Sequence, residues 1–367
     1  MLLYLAVCFL LLFQLLIQSL NLNKRGNRFF FYCSIFMLGA LAALRSVNVG
    51  ADTLQYVFGY EQVRNLQWDR LFNTPILSPA GWDYKWDYGY RLYNKIVSML
   101  FWFSDSGQVI TAVNSIILFV FLSAFLRHAS PDSLLSIWLY LTLGFYQTAL
   151  NMMPNAIASF LCLWAMKYVS DRKVIPWVTS IFVAAIFHTS AIFYLPIYWM
   201  HKVNLTRRKI SIAYLAMGVV AIAYTSLIQI ITPFIPNNYI MYINDRIKPE
   251  AIAVYFLQVS LYMICIACLR REGKWTLAMR LSPGIWCYLF TTLFYLLSLR
   301  SYGGMSRMAF LFSVYLIAYV PQMLSHLERK RSKKNIRAII ILITFVMYIA
   351  RLLVNNIGTT IPYKFFF

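Results

Sequence analysis

The chain has 367 residues, 61% of them hydrophobic and 12% charged, with a formal net charge of +21. A soluble domain carries roughly 25% charged residues, so a water-covered globule is excluded and lipid must cover most of the surface. The positive excess does not point to nucleic acid, because Lys and Arg gather between apolar runs, at 24–28, 202–209, 270–274 and 329–337, as cytoplasmic loops do under the positive-inside rule.

In chain order, apolar runs predict spans near Leu2–Leu20, Phe29–Leu44, Val109–Leu126, Leu134–Leu150, Ala156–Val169, Ile210–Ile231, Ala251–Leu269, Leu281–Leu299, Met308–Met323 and Ala338–Val354. Each approaches the length that crosses a hydrocarbon core about 30 Å thick. The first run is too long for a signal-peptide core, has no basic start and lacks a small-residue cleavage site, so it is expected to stay as a helix. Two stretches read two ways. Tyr90–Phe103 is short, carries Arg91 and Lys95, and places Leu92, Ile96, Leu100 and Phe103 at helical spacing, the pattern of an interfacial amphipathic helix. Val174–Met200 is too long for one span and too short for two. The fold class expected is all-α: one polytopic membrane domain over 1–367, with ten to twelve transmembrane helices.

Basic loops set the orientation. With 21–28 inside, Phe29–Leu44 delivers Arg45 to the outer face, and 300–307 and 232–250 lie outside as well. The middle threads two ways. If Tyr90–Phe103 and Val174–Met200 each cross once, Arg172 and Lys173 fall outside and 151–155 inside. If the first lies flat and the second is re-entrant, Arg127, Arg172 and Lys173 move inside and 151–155 comes out. The second threading obeys the charge rule better. The outer connection from 45 to 89 is the one long hydrophilic segment, and a loop of that length is usually functional. No internal repeat of the kind used by inverted-repeat transporters is visible.

Several polar constellations stand out. Arg45-Ser-Val-Asn-Val-Gly-Ala-Asp52-Thr-Leu-Gln-Tyr56 follows the second span at once. A guanidinium, a Gly turn and an Asp–Thr pair fit an anion clamp beside a carboxylate; equally, Arg45 anchors the interface and Asp52-Thr53 caps a short helix. Farther on, Trp68, Trp82, Tyr84, Trp86, Tyr88 and Tyr90 alternate with Asp69, Asp83, Lys85 and Asp87. Such rings stack on sugars beside hydroxyl-accepting carboxylates, or rest at the lipid headgroups. Arg300-Ser-Tyr-Gly-Gly-Met-Ser-Arg307 joins two spans on the outer side, and Arg246 with Lys248 adds charge there. Arginines collected where the positive-inside rule disfavours them suit a diphosphate ligand, or salt bridges to Asp245, Glu250 and the large loop. His188, in Phe187-His-Thr-Ser-Ala191, is a proton-transfer candidate by virtue of its place in an apolar run, or a histidine held by Thr189 or Ser190. The six cysteines lie in or beside apolar runs and read as packing groups; the Cys265–Cys268 pair has no second pair or histidines to complete a metal site.

Arg45 with Asn48-Val-Gly-Ala-Asp-Thr and Tyr56, Gly89-Tyr90 opening an amphipathic helix, Phe187-His-Thr-Ser-Ala, and Arg307 before the penultimate helix together resemble the EpsG-like family of Wzy-type polysaccharide polymerases, over about 45 to 321. That family tends to show Asn-x-x-Arg-Gln after the middle spans. Here the piece is Asn151-Met-Met-Pro-Asn155, with Pro154 where the arginine falls, which shifts its job to Arg91 or Arg246. The resemblance implies a helical membrane glycosyltransferase in the bacterial inner membrane, active on the periplasmic face. It transfers a glycan from undecaprenyl diphosphate onto a new lipid-linked repeat unit, without metal or cofactor, and works with a separate chain-length regulator. The roles it implies are Arg45, Arg300, Arg307, Arg91 and Arg246 on diphosphate, Asp52 or His188 as base, and Tyr56, Trp82, Asp83, Trp86 and Asp87 on glycan. A lipid-linked oligosaccharide flippase or other transporter, and an O-antigen ligase, are the rival readings. A flippase should carry charges through the membrane thickness, whereas here they cluster at the outer rim.

Overall fold

A computed structural model describes the chain except residues 21–23, 82, 84–85, 201, 204–205, 232, 234–248, 272–282 and 355. The described residues form helices and no strands, apart from two isolated bridges. Lipid offers no hydrogen-bond partners to a backbone, so apolar runs satisfy their own amides as helices.

Helices α1 (Leu2–Ser19) and α2 (Lys24–Ala43) form the first hairpin, and Ser34 donates to Gln14 Oε1 at 2.6 Å between them. The outer connection then folds into α3 (Thr53–Asn65) and α4 (Tyr88–Leu100), and α5 (Gln108–Ala129) recrosses. Next come α6 (Ser133–Thr142), α7 (Phe145–Asn151) and α8 (Met153–Ser170). The run expected as a single span from Leu134 is broken at Gly144, whose φ of +79° lies in the left-handed region that ends a helix. Helix α8 is buried on nearly every side, as an all-round apolar helix at a bundle centre should be.

Helix α9 (Val174–Phe187) is followed by a 3₁₀ turn at Thr189–Tyr194 and a short α10 (Ile197–Met200). Helices α11 (Arg207–Ile222) and α12 (Tyr224–Ile231) meet at a bend of 66°. The remainder is α13 (Pro249–Arg271), α14 (Gly284–Ser298), α15 (Tyr302–Ser313), α16 (Leu316–Ser325) and α17 (Lys330–Val354). Among the described residues six helices are long and apolar enough to cross a membrane, or seven counting the bent pair. That is fewer than the ten to twelve expected, because several apolar runs, such as Ser133–Thr142 and Val174–Phe187, are short or broken helices.

Two polar knots mark the two faces. On the basic face, Arg337 Nε pairs with Asp132 Oδ2 at 3.2 Å and Arg337 Nη2 donates to Gln18 Oε1 at 2.7 Å, joining α1, α17 and the start of α6. On the opposite face, which carries the large loop, the C-terminal tail runs against residues 44–51. Ser46 N donates to Lys364 O at 2.8 Å, Gly50 N to Thr359 O at 3.1 Å and Phe366 N to Leu44 O at 3.1 Å.

The middle of the chain follows the second of the two threadings. Helix α4 stays on the loop face: Lys95 Nζ donates to the Arg64 and Leu66 carbonyls at 2.9 and 2.6 Å, and just beyond its end Arg64 pairs with Asp105 at 2.9 Å. Asn151 is held to Ala51 on that face, α8 carries the chain away from it, and α9 returns to it at His188. The chain then runs back along α9, for Trp177 Nε1 donates to Leu195 O at 3.4 Å. Residues 174–200 therefore enter and leave on the same side.

Candidate functional site

The root of the large loop is built around Arg45. The residue is 1% exposed; its Nε donates to Thr53 Oγ1 at 3.3 Å, Nη2 to Leu150 O at 3.4 Å, and Nη1 to the Ala42 carbonyl. All these partners are neutral, and burial pulls the guanidinium pKa down. Arg45 thus ties the ends of α2, α3 and α7 together, and it does not line the neighbouring cavity. Asn151 completes the knot by accepting from Ala51 N at 2.6 Å through Oδ1, while its carbonyl accepts from Tyr56 Oη at 3.0 Å. Gly50 (φ +98°) and Gly358 (φ +60°) press on the Asn151 side chain, and a Cβ at either would overlap it. Glycine supplies both the left-handed backbone and the space.

Asp52 occupies the N-cap of α3 yet caps no backbone amide. Its Oδ2 lies instead 4.0 Å from Arg307 Nη2, on α15. Burial raises the Asp52 carboxyl pKa, opposed by the smaller effect of the Arg307 charge. Both groups line a cavity of about 700 Å³, which Asn151, Tyr255, Tyr302 and Arg351 also border. Arg307 is placed from below by Asn155, whose Nδ2 donates to the Arg307 carbonyl at 3.2 Å. Pro154, standing where the resemblance expects an arginine, lies in the first turn of α8, where an absent N–H costs nothing.

His188 ends α9 beside the cavity rather than in its lining. Its Nδ1 is 2.7 Å from Ser190 Oγ and accepts from Ser190 N at 3.3 Å. Thr189 N and Oγ1 donate to the Asp87 carboxylate at 3.4 and 3.3 Å, and burial raises the Asp87 pKa. Gly89, the second residue of α4, meets the Ile186 backbone so closely that a Cβ would overlap its carbonyl. The Gly89-Tyr90 and Phe187-His-Thr-Ser motifs are thus two sides of one seam. The Arg307 charge reaches His188 as well as Asp52, which links the seam to the cavity.

The other expected residues are placed elsewhere. Arg91 is 5% exposed and its Nη1 donates to Thr74 O at 2.8 Å and Leu71 O at 3.4 Å, so it shapes the loop. Arg300 is exposed and outside the cavity lining. Tyr56 and Trp86, expected on glycan, are buried: Trp86 sits against Gly59 and meets Tyr90 edge-on at 4.9 Å. Burying rings of this size removes a large apolar area from water. Asp83 is exposed and pairs through its backbone with Leu77. Trp82 and Arg246 lie outside the described residues. Among the described residues no three His, Cys, Asp or Glu side chains gather as metal ligands.

Several cavity residues, Tyr255 and Arg351 among them, carry no assignment in the sequence reading. Asn151 had no composition signal beyond its place in the Asn-x-x motif. Arg351 did: it interrupts the last apolar run at the loop-face end, where the rule that flagged Arg45 and Arg307 applies equally.

A family model described as the EpsG family matches residues 28–365. No curated protein and no solved structure matches the chain.

Proposed function

We propose that this chain, which belongs to the EpsG family, is a membrane glycosyltransferase that polymerises a bacterial polysaccharide on the periplasmic side of the inner membrane. In this reading a growing glycan on undecaprenyl diphosphate passes to the terminal sugar of a new lipid-linked repeat unit, and undecaprenyl diphosphate leaves. The observation that carries it is the Asp52–Arg307 pair, a carboxylate and a guanidinium 4.0 Å apart in one cavity.

The acceptor hydroxyl attacks the anomeric carbon, the bond from that carbon to the diphosphate oxygen breaks, and the hydroxyl proton goes to Asp52. A carboxyl whose pKa burial has raised is a stronger base than an ordinary one. Arg307 turns from Asp52 to the departing diphosphate as its charge develops, where a preplaced cation does most for the transition state. Tyr255 and Tyr302 at the cavity wall take the sugar-stacking task in place of the buried Trp86. Asp87, Thr189 and His188 offer hydroxyl partners at the adjoining seam.

Deleting the gene should leave single repeat units capped onto the acceptor lipid, whereas loss of a flippase or ligase removes even those. Restoring the gene as Arg307→Ala should leave the single-unit product. Full-length polymer from that variant sinks the reading.

A further inference from the structure

Arg351 stands in the last turn of α17, a helix otherwise apolar through its second half. An arginine there is costly unless its donors find partners or a polar cavity. Its Nη1 donates to the Leu143 carbonyl at 3.1 Å. The guanidinium rests on the Gly144 turn, where the left-handed glycine leaves room that a Cβ would fill. Among the described residues no carboxylate lies within ion-pair distance of it. Among the described residues the one carboxylate bordering the cavity, Asp52, faces Arg307. A carbonyl contact uses one of five guanidinium N–H donors, and the side chain borders the same cavity as Arg307.

We infer that Arg351 is the second cation, with Arg307, of a diphosphate-binding site in this cavity. This rests on the functional reading above and deepens it: Arg351 supplies the positive charge that Pro154 denies the chain at the start of α8. A diphosphate carries two phosphoryl groups, and two planar guanidinium forks can each take one in a bidentate grip. The site draws on three distant pieces of chain: the loop root at 51–52, α15 with Arg307, and the end of α17. The bend at Gly144 turns the Leu143 carbonyl toward Arg351 and fixes the reach of its side chain.

The test uses the full chain in phosphatidylcholine nanodiscs, with binding of undecaprenyl diphosphate and of inorganic pyrophosphate measured separately, beside the thermal unfolding midpoint. Arg351→Met keeps length and suits the apolar helix. It should bind at least about tenfold more weakly per folded molecule, the worth of one hydrogen bond to a charged group, whatever the midpoint loses with the donor to the Leu143 carbonyl. Weakening with both ligands assigns the contact to the diphosphate itself. Weakening with the lipid alone, or with pyrophosphate alone, names which source the site takes. Unchanged affinity for both overturns the inference while leaving the polymerase reading intact. Should the methionine variant not fold, Arg351→Lys decides: it keeps charge and a carbonyl donor but loses the fork, so it should fold and still bind several-fold more weakly, and wild-type affinity from it overturns the inference. A wild-type protein that binds neither ligand instead defeats the functional reading on which it stands.

Discussion

Asp52 is held where ionisation is unfavourable, and that makes a prediction with a definite sign. Its folded-state pKa lies above the unfolded value, because burial outweighs Arg307. The stabilisation this implies is complete below the ordinary carboxyl pKa and is lost as pH rises through the raised one. At neutral pH the Asp52 carboxylate is therefore a net cost to folding. Asp52→Asn should hold or raise the unfolding midpoint at pH 7 while polymerisation falls by about 100-fold or more, as for loss of a general base. The acid limb of wild-type polymerisation should likewise fall above the usual carboxylate range. A destabilised Asp52→Asn protein with normal polymer would contradict both.

Arg45 makes the opposite case at the same scale. Its donors satisfy carbonyls at the ends of α2 and α7, and none borders the cavity. Arg45→Ala leaves those buried acceptors without partners, each costing about 1–3 kcal/mol. The expected result is less folded protein in the membrane, with diphosphate affinity per folded molecule unchanged. Binding that falls with normal folding would return Arg45 to the ligand. Residue type alone leaves both roles open and favours the anchor; the carbonyls that hold Arg45 are those of Ala42 and Leu150, the latter 105 residues away.

At the scale of elements, apolar run length foretold most helices and none of their breaks. Leu134–Leu150 reads as one run, and only the left-handed backbone at Gly144 divides it into α6 and α7. That break places the Leu143 carbonyl for Arg351. Helix α4 shows how far periodicity reaches: spacing of Leu92, Ile96 and Leu100 indicated an amphipathic helix, while its partners became visible only in the fold. Gly89 packs directly on the Ile186 backbone of α9. Gly89→Ala should force the two apart, costing about 1–3 kcal/mol by overpacking and moving Asp87 from Thr189. Thermal unfolding and polymer length together check this; a variant unchanged in both would mean the seam gives way freely.

For the whole molecule, the two polar knots fix which segments share a face. Single cysteines test this in a background without the six native ones. Ser106→Cys, just past α4, should react in intact cells with an impermeant thiol reagent, and Lys173→Cys, between α8 and α9, only after the membrane is opened. Both positions are exposed. Labelling of both in intact cells would contradict the threading, and the reverse pattern would place the cavity in the cytoplasm.

The sequence by itself determined the solvent, and with it the class of fold. Sparse charge and long apolar runs leave helices as the way to satisfy the backbone in lipid, and basic clusters divide the loops between two faces. Short motifs also carried the resemblance and singled out Asp52, Arg307 and the His188 seam. Which arginine lines the cavity and which is enclosed among carbonyls appears only in the tertiary structure. A guanidinium has the same charge in both settings, and its role depends on acceptors that the fold brings from more than a hundred residues away. The same holds for the C-terminal tail, whose backbone closes the loop root through hydrogen bonds that no side-chain pattern announces.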